Sequence, residues 1–201
     1  AIERGPLVYC AEFADNNGEV RNLSLPENTS ESDLLRYDKL AQTIIFTSQG
    51  IPFVFNGEEV FRSKKLVHNS FESPDSINRI NWMNKSVYYD LFDYYKKLIA
   101  LRKNHAAFRM VAASDIQSNL HFAEHLPENV IAYRLDGKAA GDVWSEIFVA
   151  FNGSNSSREI SIPEGNWTIV CLDGKIDESG ITSVSGNKMN LPRSSAVILK
   201  R

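Results

Sequence analysis

The sequence predicts an α/β plus all-β chain, in which a helix–strand–helix unit of the kind that builds α/β barrels is followed by an antiparallel β-sandwich. Three observations lead there. From residue 30 to about 110, apolar residues recur at three- and four-residue steps, the period of amphipathic helices. Between the helical stretches lies one wholly apolar run, Ile51-Pro52-Phe53-Val54-Phe55. Strands of a parallel sheet, buried on both faces, read as continuous runs of this type. Beyond about residue 113 the period falls to two, and short apolar runs alternate with turn clusters, the pattern of an antiparallel sandwich.

Residues 1–28 mix β-type runs, Leu7-Val8-Tyr9-Cys10 and Val20 to Leu25, around Asp15-Asn16-Asn17-Gly18, which predicts two strands and a loop. In the first helix Leu34, Tyr37, Ala41, Ile44 and Ile45 share a face, with Ser32 as N-cap and Asp33 in the first turn. It is expected to end near Ser48, because Gly50 and Pro52 cannot extend it. The strand over Ile51–Phe55 then opens into a turn bearing Glu58 and Glu59 and a long polar loop through Asn69 and Asn78. A second helix is expected from Ser86, placing Tyr88, Leu91, Phe92, Tyr95, Leu98 and Ile99 on one face. Arg102 and Lys103 then suit the negative end of its dipole. The clearest later strands are 130–135, 147–151, 160–162, 167–171 and 196–199. They are separated by turns such as Asp136-Gly137, Asn152-Gly153, Pro163-Glu164-Gly165-Asn166 and Asp173-Gly174. The expected division is 1–28, 29–112 and 113–201.

Composition narrows the function classes. A net charge of −3 gives no basic footprint for nucleic acid. The longest apolar runs fall far short of the roughly 20 residues of a membrane helix. No signal-peptide pattern opens the chain, and a start at Ala1 rather than Met is expected of a processed protein or a piece of a longer one. Cys10 and Cys171 lack the spacing of a zinc site or disulfide framework and read as buried thiols. No metal or cofactor is expected, and nothing points to a compartment.

Four segments carry a family likeness: Ser48-Gln49-Gly50-Ile51-Pro52-Phe53 with Gly57-Glu58-Glu59; His68-Asn69-Ser70-Phe71-Glu72-Ser73-Pro74-Asp75-Ser76-Ile77-Asn78; Trp82; and Leu101-Arg102-Lys103-Asn104-His105-Ala106-Ala107-Phe108-Arg109. In this order they resemble the α-amylase superfamily and, within it, the pullulanase (glycogen-debranching) branch, over about residues 30–201. Asn81 and Asn56 depart from the Asp and Ala usual there. The resemblance implies that the first helix is the seventh of a (β/α)8 barrel, the apolar strand its eighth, and the second helix the closing one, with the C-terminal sandwich after it.

The implied activity is a retaining hydrolase of α-1,6 branches in pullulan, glycogen or limit dextrins. Its two reacting carboxyl groups would stand about 5 Å apart. By the resemblance, the nucleophilic Asp, the acid Glu and the stabilising Asp all belong upstream of the first helix. Asp15 is no substitute for the last, since Ala14 stands where the family has His. No catalytic residue is therefore assigned. The stretch from Ile2 to Glu12 resembles instead the β-sandwich part of β-L-arabinofuranosidase-like glycoside hydrolases, continuing to about Pro26. A junction of two enzyme fragments is expected near Glu27–Ser30.

Glu58 and Glu59 are adjacent and diverge at a strand end, so one is expected on the cleft wall and the other on a structural partner. Asn69, Ser73, Asp75 and Asn78 suit sugar hydroxyls, or equally the self-capping of turns around Pro74. With Glu58 they form the expected substrate-binding set. Phe71 and Trp82 either stack on a glucose ring or seal the core. His68 and His105 are not expected to be catalytic, His105 capping carbonyls instead; His121 and His125 read as surface residues. Trp144 is a candidate sugar platform, and Trp167 a core residue. The expected partner is a branched α-glucan, and the chain alone is expected to be catalytically silent. A non-catalytic carbohydrate-binding or structural accessory module is the alternative. Unpaired strand edges and uncovered helix faces predict self-association.

Overall fold

Period-two stretches have an apolar face to bury, and in the second half of this chain they bury it against one another. The computed structural model describes residues 12–14, 20–22, 29–65, 67 and 69–201. Two short strands, β1 (Glu12–Ala14) and β2 (Val20–Asn22), pair antiparallel with Phe13 opposite Arg21. β2 falls within the expected second strand; the run Leu7–Cys10 lies outside the described residues.

The seven-stranded sheet is built from β3 (Leu120–Phe122), β4 (Val130–Leu135), β5 (Ile147–Asn152), β6 (Arg158–Leu172), β7 (Lys175–Ile176), β8 (Thr182–Leu191) and β9 (Ser195–Lys200). The order is β3-β4-β5-β9-β6-β7, with β8 beside β6, and every pairing is antiparallel. The last strand thus inserts between β5 and β6. The two runs expected at 160–162 and 167–171 are one long strand. Pro163 to Asn166 forms not a turn but an irregularity within it, where the register against β8 shifts between Ser161 and Gly165. Gly165 stands at φ +137 there, a conformation open to glycine. β7 and β8 were not among the expected strands.

Each face of this sheet has its own core. On one face Val130, Ala132, Phe148 and Ala150 pack with Ile160, Trp167, Ile169, Met189, Leu191, Val197 and Leu199, closing the sandwich. On the other, Tyr133, Leu135, Ile147, Val149, Val170, Cys171 and Ile198 meet the helices through Leu34, Phe46, Leu91, Tyr94, Tyr95, Leu98 and Leu101. Cys171 is fully buried, which pushes its thiol up to about 12; Cys10 lies outside the described residues.

The helices are α1 (Glu31–Thr47), α2 (Asp75–Asn78), α3 (Asn84–Val87), α4 (Tyr89–Asn104) and α5 (Ala113–Asn119), with 3-10 turns at Glu58–Val60 and Ala106–Arg109. α1 ends at Ser48 as expected, but its N-cap is Ser30, not Ser32. The Ser30 Oγ accepts from the Asp33 amide at 3.1 Å and donates to the Asp33 carboxylate at 2.8 Å, so one residue satisfies both. The helix expected from Ser86 is split by Tyr88 (φ −108, ψ 40) into α3 and α4. Tyr94 lies on its buried face, whereas Ile99 is exposed.

One expectation fails outright. Ile51–Phe55 is not a strand: among the described residues no neighbouring strand lies beside it, and Ile51 and Phe53 are 97% and 86% exposed. Only Val54 reaches the core from this run. An apolar strand needs flanking strands to satisfy its backbone. Among the described residues no helix is long and apolar enough to cross a membrane.

Candidate functional site

The geometry around Glu58 begins at the end of α1. An α-helix leaves its last carbonyls without partners, and here a residue of α4 supplies them. The buried Arg102 guanidinium donates to the carbonyls of Phe46 (2.9 Å), Ser48 (2.7 Å) and Gly50. Arg102 therefore serves the C-terminus of α1 rather than that of its own helix. Gln49 donates to the Ala107 carbonyl (2.7 Å) and accepts from the Met110 amide (3.0 Å), while the Tyr133 hydroxyl reaches the Thr47 carbonyl (2.9 Å). These contacts fix where the apolar segment leaves the helix. The segment ends at Gly57 (φ +99), where a Cβ would come within 2.7 Å of the Arg62 Cδ.

The following turn carries the two glutamates to different partners. Glu58 is 5% exposed, and its Oε2 accepts from Gln42 Nε2 at 3.1 Å. Glu59 turns back onto the Gly57 amide (3.0 Å). Beside Gln42, Asp38 is 1% exposed and accepts from the Tyr95 hydroxyl at 2.7 Å. Burial pushes its carboxyl up to about 7; the Tyr95 hydrogen bond opposes this and the Glu58 charge adds to it.

Asn78 gathers the polar loop. Its amide donates to the carbonyls of Ser70 (2.6 Å) and Ser73 (2.7 Å), and its Oδ1 accepts from Lys64, whose ammonium also reaches Ser70 Oγ at 3.0 Å. Arg62 bonds the Asn78 carbonyl and, at 2.9 Å, that of Asn56. The structure thus brings Ser73 and Asn78 together and places Glu58 inside, against α1. Asn69 and Asp75 stand exposed, Asn69 accepting from the Phe71 amide (3.4 Å) and Asp75 opening α2. Phe71 and Trp82 are exposed, so neither seals the core. The Phe55 ring lies under Arg62 and Lys64, 5.3 and 5.8 Å from its centre.

His68 lies outside the described residues. His105 does not cap carbonyls; its buried ring joins two carboxylates, Nδ1 to Asp142 Oδ1 at 2.8 Å and Nε2 to Glu178 Oε1 at 3.2 Å. It also stacks on Trp144 at 3.5 Å, and Lys200 stands 4.8 Å from the same indole, so Trp144 is not an open sugar platform. Burial pushes the Asp142 carboxyl up, but His105 and the amides of Ala107 and Trp144 outweigh this and hold it below the usual range. Trp167 is a core residue, 1% exposed. His121 lies in β3 and His125 in an exposed turn; among the described residues, no group of three or more His, Cys, Asp or Glu could hold a metal ion. Sequence reasoning missed Asp38, Gln42 and Asp142. The only signal for the first two was their four-residue spacing on α1, which puts them on one face.

Comparison with known proteins places this geometry. The model described as "Pullulanase, all-beta domain" matches residues 116–175, and "Glycoside hydrolase family 127 C-terminal domain" matches residues 1–95, well beyond the expected limit near Pro26. The pullulanase of Bacillus subtilis (strain 168) is 39% identical over 142 residues, 71% of this chain and 20% of that protein. An isoamylase of Flavobacterium sp is 25% identical over 167 residues, 74% of this chain and 22% of that protein. The chain thus spans about a fifth of the length of these two relatives. Among solved structures, the pullulanase from Bacillus acidopullulyticus superposes with a TM-score of 0.82 at 39% identity, covering 87% of this chain and 21% of that one. The Anoxybacillus sp. LM18-11 pullulanase complexed with maltotriose gives 0.75 at 30% identity, covering 86% and 24%.

Proposed function

We propose, on the premise that most of this chain is homologous to pullulanases, that it is the C-terminal portion of a glycoside hydrolase acting on α-1,6 branches of α-glucans. In this reading residues 29–112 are the C-terminal end of a (β/α)8 barrel, with α1 its seventh helix, α4 the closing helix, and Ile51–Phe55 the unpaired segment that pairs as the eighth strand only when the rest of the barrel flanks it. Residues 113–201 are the sandwich behind it, and residues 1–28 an N-terminal β segment, which lies within the stretch similar to the glycoside hydrolase family 127 C-terminal domain. The observation that carries the reading is the apolar segment 51–55, with Ile51 and Phe53 exposed, leading into Glu58 and the loop pinned by Asn78. An apolar strand delivering polar groups at its carboxyl end is how barrel enzymes build a cleft wall.

On this wall Asn69 and Asp75 face solvent and are offered to sugar hydroxyls. Ser73, Asn78 and Glu58 set the shape of the wall against which a branched α-glucan lies. The exposed Trp82 and Phe71 offer ring faces to glucose. The reacting carboxylates belong to other parts of the parent enzyme, so the chain alone turns over no substrate. Exposed Ile51 and Phe53 also favour self-association.

Titration of the chain with maltotriose, followed by amide NMR shifts, tests the assignment. Shifts concentrated in residues 69–82 are expected. Shifts confined to β3–β9 would overturn it in favour of a carbohydrate-binding sandwich, and the absence of shifts at high millimolar sugar would overturn the wall itself.

A further inference from the structure

Asp38, Gln42 and Glu58 form a buried polar line between α1, α4 and the turn that bears Glu58. Asp38 accepts from Tyr95 on α4, and Gln42 donates its amide to Glu58. Gln42 is 2% exposed, yet its Oε1 is buried and receives no donor among the described residues. Buried acceptors are almost always satisfied. An ionised carboxylate cannot supply the missing hydrogen, whereas a protonated one can. Asp38 sits one helical turn away on the same face of α1.

We infer that Asp38 is a neutral carboxylic acid that donates its O–H to Gln42 Oε1, completing a directed chain from Tyr95 through Asp38 and Gln42 to Glu58 and making the position of Glu58 pH-sensitive. Along this chain Tyr95 donates to Asp38, Asp38 to Gln42 and Gln42 to Glu58. The electrostatics agree, since burial pushes the Asp38 carboxyl up to about 7, with the Glu58 charge adding to the effect and Tyr95 and Lys39 opposing it. Among the described residues, Lys39 from α1 and Glu58 from the turn act on Asp38 through their charges and Tyr95 from α4 donates to it, while Gln42 stands four residues along the same buried face of α1. When the proton leaves to solvent, Gln42 Oε1 loses its donor and two carboxylates remain beside one amide. The hold on Glu58 then loosens. Asp38 is a positioning residue for Glu58; only the relevance of Glu58 to glucan rests on the proposed function.

Carbon-13 NMR titration of the carboxyl groups in the intact chain tests the inference without any sugar. The Asp38 carboxyl is expected to titrate near 7, with the Gln42 side-chain amide moving at the same midpoint. In Asp38→Asn, where an amide N–H replaces the acid O–H, the Gln42 signal is expected to stay fixed through this range. If that variant fails to fold, Glu58→Gln serves: removing the neighbouring charge is expected to lower the Asp38 midpoint. An Asp38 midpoint at the ordinary value of about 4, a Gln42 amide that ignores the titration, or an unchanged midpoint in Glu58→Gln would overturn the inference. Failure of the maltotriose titration would leave this result standing and remove only its link to glucan.

Discussion

The sandwich and the helical half bury their side chains in different ways. In the sheet, both faces are covered, one by the folded-over β6–β8 pair and the other by α1 and α4. In residues 48–88, by contrast, Ile51, Phe53, Trp82, Met83 and Val87 face solvent, Val60 and Phe61 are the buried apolar anchors, and position is held largely by polar tethers from Arg102, Gln49, Tyr133 and Asn78. The first region makes its own core. The second is tethered by hydrogen bonds at its ends and presents apolar surface between them.

That contrast can be broken most severely in the sandwich. Trp167→Ala removes a fully buried indole and is expected to cost about 3–5 kcal/mol in chemical denaturation; a loss below about 1 kcal/mol would mean the core is not where we place it. Next comes the pH response of Asp38. Its folded carboxyl is held above the unfolded value, so folding retains a proton between about pH 4 and about pH 7. The associated stability is complete below about pH 4 and is lost as pH rises through about 7. Relative to wild type, Asp38→Asn is expected to gain on the order of 4 kcal/mol across that window, read as diverging melting temperatures. Parallel curves would count against it. Asp142, held low, acts with the opposite sign: its contribution is present above the ordinary carboxylate range and fades as pH falls.

Smaller effects sharpen the comparison. Arg102→Ala strands three carbonyls at the end of α1 and is expected to cost about 2–3 kcal/mol. It should also speed proteolysis of residues 48–74 while leaving β5 and β9 protected in hydrogen exchange. Ser30→Ala, which loses the N-cap, is expected to cost about 1 kcal/mol. Phe53→Ser removes no buried contact and is expected to change stability by less than about 0.5 kcal/mol, yet to reduce self-association in sedimentation velocity.

The sequence was most legible where neighbours along the chain decide the outcome. α1 ends where Gly50 and Pro52 require, and β4, β5 and β9 follow their apolar runs, unbroken in β5 and β9 because both faces are buried. β8 was hidden because it is largely exposed, with Val184, Met189 and Leu191 as its few inward anchors. The division of β6 was misread because Pro and Gly mark a bulge as readily as a turn. The segment 51–55 has strand chemistry, but pairing is non-local and its own composition could not supply a partner. Within the site, the wall residues stood out as polar residues in a loop without apolar period. Asp38 and Gln42 did not, because periodicity records which residues are apolar and cannot say which polar ones lie buried.

The central claim is that this chain forms a wall of a debranching site and does not contain its reacting acids. Incubating the purified chain with pullulan and measuring reducing ends tests it most directly. No release above the uncatalysed background is expected. Sustained release, abolished in Glu58→Gln, would contradict it by showing that the glutamate we assign to the wall takes part in the chemistry.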